Sequence, residues 1–207
     1  LALNFDTAFV IEHLHGHHKF VGTYDDPATA RYNENTYVFI VRSTIGTLKN
    51  AWVYEKNRMI RKNKSSFSLS NQLIIGLLKG LTIVAIVYFV GREIGLVMYF
   101  LSIIVAKILL ETVNYIEHYG LTRELGTPVL PKHSWNTNRW VSSNLLYNLS
   151  RHSAHHEKAN IPYWKLNPYQ DAPEMPLGYL SMVYIAILAP SIFKKIMKPR
   201  VIKWSQS

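Results

Sequence analysis

Two long runs of apolar residues dominate the hydropathy pattern. Residues 73–90 read LIIGLLKGLTIVAIVYFV and residues 94–116 read IGLVMYFLSIIVAKILLETVNYI. At a rise of ~1.5 Å per residue, each is about long enough to cross a hydrocarbon core ~30 Å thick. Only Gly91, Arg92 and Glu93 stand between them. The pattern predicts a helical hairpin, about residues 73–116, with both flanking segments on one side of a membrane. Lys79, Lys107 and Glu111 interrupt the runs, and each charge within a span is costly. Lys79 can snorkel toward the membrane edge, and Lys107 and Glu111, at i and i+4, can pair on one helix face. The competing reading is a soluble protein with two buried core helices. A third apolar stretch, about 177–196, is broken by Pro190 and by the pair Lys194–Lys195. It predicts an interfacial or re-entrant helix rather than a full span. The stretch before it, residues 160–176, is rich in Pro, Tyr and Trp and reads as irregular structure at the membrane surface.

Charge assigns a side. The net charge is +10. A basic chain can bind nucleic acid, but the spans explain the charge better. Before the hairpin lie Lys19, Arg31, Arg42, Lys49, Lys56, Arg58, Arg61, Lys62 and Lys64. After it come Arg123, Lys132, Arg139, Arg151, Lys158 and Lys165, then a basic tail from Lys194 to Lys203. The hairpin turn offers only Arg92 and Glu93, which cancel. The positive-inside rule therefore places residues 12–72 and 117–175 in the cytoplasm. The expected fold is all-α, a polytopic integral-membrane helical protein, and residues 1–207 form a single membrane catalytic domain. The chain opens at Leu1 with no initiator Met, which reads as an internal piece of a longer protein. It has no cysteine, so disulfides, iron–sulfur clusters and thiolate zinc sites are excluded.

The candidate chemistry lies in histidines. The stretch EHLHGHHKF, residues 12–20, holds His13, His15, His17 and His18, and SRHSAHH, residues 150–156, holds His152, His155 and His156. A hairpin brings these distant stretches to the same side. His152, His155 and His156 have the i, i+3, i+4 spacing of one helix face; His13 and His17 are i, i+4, with His18 beside them. Neutral imidazole is a good ligand for iron, copper, zinc or nickel. Six such histidines exceed the needs of one tetrahedral zinc and suggest two metal ions. His118, in NYIEHYG at the end of the second run, is a further candidate. Glu12 and Glu117, each just before a histidine, suit the role of accepting a ligand's free N–H and fixing its tautomer. His133 has no histidine neighbour in sequence and is a weaker candidate for that supporting role. His15, at i+2 from His13, points off the ligand face. E-x-x-H occurs once, at Glu12 and His15, where carboxylate-bridged di-iron bundles need it in pairs, and H-E-x-x-H is absent.

These stretches resemble a known family. EHLHGHH matches a box written E-H-x-x-G-H-H, NYIEHYGL matches the signature N-Y-x-E-H-Y-G-L, and LSRHSAHH is similar to L-Q-R-H-S-D-H-H. GTYDDPATAR and PKHSWNTN are also similar to that family's connecting segments. Together they resemble the integral-membrane alkane monooxygenases, over nearly the whole chain. A bare H-x-x-H-H is shared with membrane desaturases. The resemblance implies a cytoplasm-facing, histidine-rich di-iron site in a multi-pass protein of the bacterial inner membrane. It implies two iron ions and O2, with His13, His17, His18, His118, His152, His155 and His156 as ligands. It implies terminal hydroxylation of n-alkanes, with electrons from NAD(P)H by way of rubredoxin reductase and rubredoxin, and no nucleic-acid partner. The alternatives within reach are an alkyl-aromatic methyl hydroxylase and a membrane fatty-acyl desaturase; a histidine-rich metal transporter is a third reading from outside the enzymes. Two departures stand out. The family's earlier box, H-E-x-x-H-K, is absent here, so this stretch alone is expected to assemble an incomplete, inactive site. Ser150 and Ala154 replace the usual Gln and Asp of the third box, which predicts altered surroundings around an intact ligand set.

Overall fold

The structure, a computed structural model, describes residues 4–157 and 160–205; Lys158 of the basic series lies outside the described residues. Among these residues every regular element is helical, and the only β contact is a lone parallel bridge between Asn136 and Glu174. The all-helical expectation is met. A first helical segment comprises α1 (Thr7–Glu12), a π turn (His13–His17) and α2 (His18–Phe20). Then come α3 (Thr36–Arg61), α4 (Gln72–His118), α5 (Trp140–Leu145), α6 (His152–Glu157), α7 (Tyr179–Leu188) and α8 (Pro190–Ser205). The chain divides into two compact units. One is Leu1–Gly16 with Thr44–Leu110; the other is His17–Ser43 with Glu111–Ser207.

The first unit contains most of α4. Its helix breaks at Arg92, where φ is 51° and ψ −148°. On an unbroken helix, residues eight apart lie ~12 Å from each other. Here a Cβ built on Gly95 would stand 3.1 Å from the Val87 carbonyl oxygen. The chain therefore doubles back at Arg92, within the predicted turn. The two arms keep their apolar side chains outward: Phe89 and Val90 are 80% exposed and Ile94 is 79% exposed. Buried core helices of a soluble protein do not look like this. The chain around the start of α1, Phe5 to Thr7, lies against both arms. A Cβ on Gly76 would sit 2.0 Å from Thr7 Oγ1, so only glycine admits the approach. Lys107, placed at i, i+4 from Glu111, also reaches Asp6, its Nζ donating to Oδ2 at 3.0 Å. A small cluster of Ala8, Ile11 and Ala51, with Tyr54 and Leu73, closes this unit.

The second unit holds the larger core. Tyr115, Tyr119, Trp135, Tyr179, Phe193 and Met197 are all buried, each contributing about 1.5–3 kcal/mol of apolar burial. Their polar ends are satisfied: Trp135 Nε1 donates to the Tyr119 carbonyl at 2.8 Å, and Tyr115 Oη to the Glu34 carbonyl at 2.8 Å. The stretch 177–196, expected as one interfacial segment, is two helices that meet at Ala189. Pro190 opens α8, a position where its missing N–H costs nothing. Met182, Val183, Ala186 and Phe193 of this stretch turn into the core.

Candidate metal centre

α6 starts just after the turn at Asn148 and presents His152, His155 and His156 from one face. His118 is the last residue of α4, and His17 ends the π turn. These elements converge in the second unit. His17, His118, His152 and His156, all buried, bring one ring nitrogen each to within 4.8 Å of the others. His118 Nε2 is 3.0 Å from His152 Nε2, and His156 Nε2 is 2.9 Å from the same atom. Nitrogens bound at about 2.1 Å to one ion at right angles would lie about 3.0 Å apart. The donor set, all imidazole in a buried site, fits a first-row transition metal ion.

Burial and repulsion from neighbouring rings favour the neutral form of His118 and His156, the form that binds metal. Burial, then His152 and His17, holds His156 well below the ordinary histidine range. Burial first, then His17, does the same for His118, against the opposing pull of Asp26 and a hydrogen bond to the His133 backbone. A second group begins beside the four. His18 and His155 have ring centroids 4.7 Å apart, and His18 lies 4.8 Å from His156. Burial and His155 lower His18 to about 4. His17 and His18 are neighbours in sequence, yet they serve different groups, because consecutive side chains on a helix point about 100° apart.

Two carboxylates orient the rings. His17 Nδ1 meets Asp26 Oδ2 at 2.9 Å, with both side chains buried. Asp26 also accepts Thr29 Oγ1 at 2.7 Å and the Ala28 backbone N–H at 2.9 Å. Burial alone would raise Asp26; His17 and these donors outweigh it and hold the carboxyl below its usual range. His17 Nδ1 is thereby the protonated nitrogen, and Nε2 is left to face the other three rings. On the far side, Glu117 Oε1 stands 3.2 Å from His152 Nδ1 and accepts the Tyr179 hydroxyl at 2.5 Å. Burial pushes Glu117 up to about 8, against the Tyr179 hydrogen bond.

Glu117 thus stands beside His152 and Tyr179. His133 acts differently from the expectation: its backbone serves His118, while its Nδ1 accepts the Leu130 N–H at 3.0 Å within its own turn. His13 and Glu12 belong to the first unit. His13 stacks on Phe9 at 4.9 Å, and Glu12 is buried with its carboxylate over Gly16, where a Cβ would meet Oε1 at 2.3 Å. His15 is exposed beside Tyr54, off the ligand face as its spacing suggested. Sequence reasoning passed over Asp26 and Tyr179. Asp26 stands in the DDPAT turn, and an Asp two residues before a backbone donor is a recognisable turn signal. Tyr179 carried no signal; it is 62 residues from Glu117.

Among the described residues the chain is all-helical, with a buried group of four histidines that could hold a transition metal ion. The chain is a member of the fatty acid desaturase family, whose pattern matches residues 3–186. It is 40% identical to alkane 1-monooxygenase 1 of Alcanivorax borkumensis, over 95% of this chain and 50% of that protein. It is 37% identical to alkane 1-monooxygenase 2 of the same organism, over 93% of this chain and 52% of that one. With the xylene/toluene monooxygenase hydroxylase component XylM of Pseudomonas putida it shares 32% identity, over 95% of this chain and 53% of the other. The chain spans about half the length of these relatives.

Proposed function

We propose that this chain is part of a membrane alkane monooxygenase that places one oxygen atom of O2 on the terminal carbon of an n-alkane. The overall reaction is R–CH3 + O2 + 2 e⁻ + 2 H⁺ → R–CH2OH + H2O. The observation that carries the reading is the buried group of His17, His118, His152 and His156, joined to relatives named alkane 1-monooxygenases. Two iron ions are the proposed cofactor, held by these four with His13, His18 and His155. Rubredoxin, reduced by its reductase, is the proposed electron donor. The proposed setting is the bacterial inner membrane, with the hairpin arms as two spans and the histidines on the cytoplasmic side.

When bound, iron supplies the activation of O2. The chain's own residues do the rest. Imidazoles hold the charge of the ion without adding negative charge, which suits a site that must accept electrons. Asp26 holds His17 in a single tautomer, and Glu117 stands 3.2 Å from His152 Nδ1, where it restrains that ring. Burial of the four rings keeps bulk water out of the place where a metal ion would be held. An alkane has no hydrogen-bonding group, so selection rests on apolar walls and arrival from the lipid phase. The exposed Leu, Ile, Val and Phe residues of the arms suit contact with lipid and alkane. The alternatives, methyl oxidation of an alkyl-aromatic and desaturation of an acyl chain, would use a related di-iron site.

The test is product analysis with the complete open reading frame containing this chain, expressed in membranes and supplied with reductant. Octane should give 1-octanol with one atom from labelled O2. Formation of a double bond in acyl lipid, with no octanol, would reject the proposal.

A further inference from the structure

The four-histidine group lies buried, so electrons must reach it from a surface. One surface cleft lies close to it along the chain. Tyr119 directly follows His118 in the chain. It forms the floor of a cleft of about 450 Å³ whose rim carries Lys194, Lys195 and Lys198, with Tyr32 and Asn33 opposite. The Tyr119 hydroxyl is fixed by the Asn33 N–H at 3.1 Å, and its carbonyl by Trp135 Nε1 at 2.8 Å. The cleft floor is thus rigid, and it sits one residue from a proposed ligand.

The charge of the cleft is one-sided. α8 turns Phe193, Met197 and Val201 into the core, at i, i+4 and i+8, which leaves its lysines on the outer face. Glu34, the acidic neighbour of Tyr119, is taken up by Arg42, which donates to its two oxygens at 2.7 and 2.9 Å. Lys195 and Lys198 therefore face solvent beside an aromatic floor, and half-buried Lys194 donates from Nζ to the Asn33 carbonyl at 3.5 Å. A bilayer is a poor occupant, because a helix that lies on lipid needs an apolar face to insert, and α8 has given that stripe to the core.

We propose that this cleft is the docking site of a small acidic one-electron carrier, and that electrons pass from it through Tyr119 to the metal group at His118. The inference rests on the function proposed above and adds where the partner binds. In each transfer the carrier's iron(II) becomes iron(III) and the metal centre gains one electron; two transfers, with two protons and O2, complete one turnover. Clustered lysines steer such a partner and make association depend on salt.

The test uses the complete protein in membranes with purified rubredoxin as the carrier, varying its concentration and the salt. The triple variant Lys194→Glu/Lys195→Glu/Lys198→Glu should raise the KM for rubredoxin at least tenfold and flatten its salt dependence. The variant Lys49→Glu/Lys56→Glu/Lys62→Glu makes the same change of charge at lysines that do not line the cleft, and should move the KM less than twofold. Metal content per chain serves as the check of folding for both. An equal effect of the two triple variants, or no effect of the first, overturns the proposal. Loss of binding to phosphatidylglycerol vesicles by the first variant, with its KM for rubredoxin unchanged, would assign the lysines to lipid and overturn it too. If the wild type yields no oxygenated product with rubredoxin or with dithionite, the function itself has failed, an outcome separate from any effect of the lysines.

Discussion

Asp26 acts on the metal group through His17. Its carboxylate takes three donors, from His17, Thr29 and the backbone of Ala28, and so has no freedom to turn away. Asp26→Asn replaces an oxygen that must accept from His17 by a group that can donate. Metal affinity should fall by about 10–100-fold, as measured by competition with a chelator; an unchanged affinity would remove Asp26 from the account. Tyr179→Phe tests the opposite side. It strips the hydroxyl from a buried carboxylate, which should lower stability by about 1–3 kcal/mol in thermal unfolding of the metal-free protein. The histidines themselves were legible because a ligand must recur at helical spacing, as His152, His155 and His156 do. Their supports were not, since a supporting carboxylate may stand anywhere in sequence that folding brings close, as Asp26 does nine residues from His17.

At the scale of elements, the break in α4 was legible because composition changes there: two apolar runs flank Gly91, Arg92 and Glu93. The conformation of Arg92 was not. Its φ of 51° with ψ of −148° is a region that favours glycine and costs other residues about 1–3 kcal/mol. Arg92→Gly should therefore stabilise the hairpin, by about 1 kcal/mol after the added freedom of the unfolded chain is subtracted. Thermal unfolding in detergent reads this, and a drop in midpoint would contradict the strained turn. α3 escaped the hydropathy pattern for a physical reason. Its buried stripe, Phe39, Ser43, Thr47, Ala51, Glu55 and Met59, is mostly small or polar, while Val38, Val41, Ile45 and Leu48 face outward. A search for apolar residues on the inner face misses such a helix. The π turn was also out of reach. The stretch HLHGH has ordinary helical spacing, and only backbone hydrogen bonding shows that the turn widens to i→i+5. Turns of this kind recur at functional sites, and this one ends on His17.

For the whole molecule, the hairpin and the charge pattern make a joint claim. If the arms are spans, a cysteine in place of Arg92 should react with a membrane-impermeant thiol reagent from outside the cell. One in place of Lys195 should react only after the membrane is opened. Labelling of both from the same side would contradict the topology. The sequence led to the expectation that the two distant histidine boxes share one site, and His17 does meet His118, His152 and His156; which ring meets which was not legible.

The most direct test of the account is the metal content of the complete protein purified from membranes, beside the double variant His118→Ala/His156→Ala. The account predicts about two irons per wild-type chain, lost in the variant while the protein still inserts in the membrane. Zinc in place of iron, a single metal, or iron retained by the variant would contradict it.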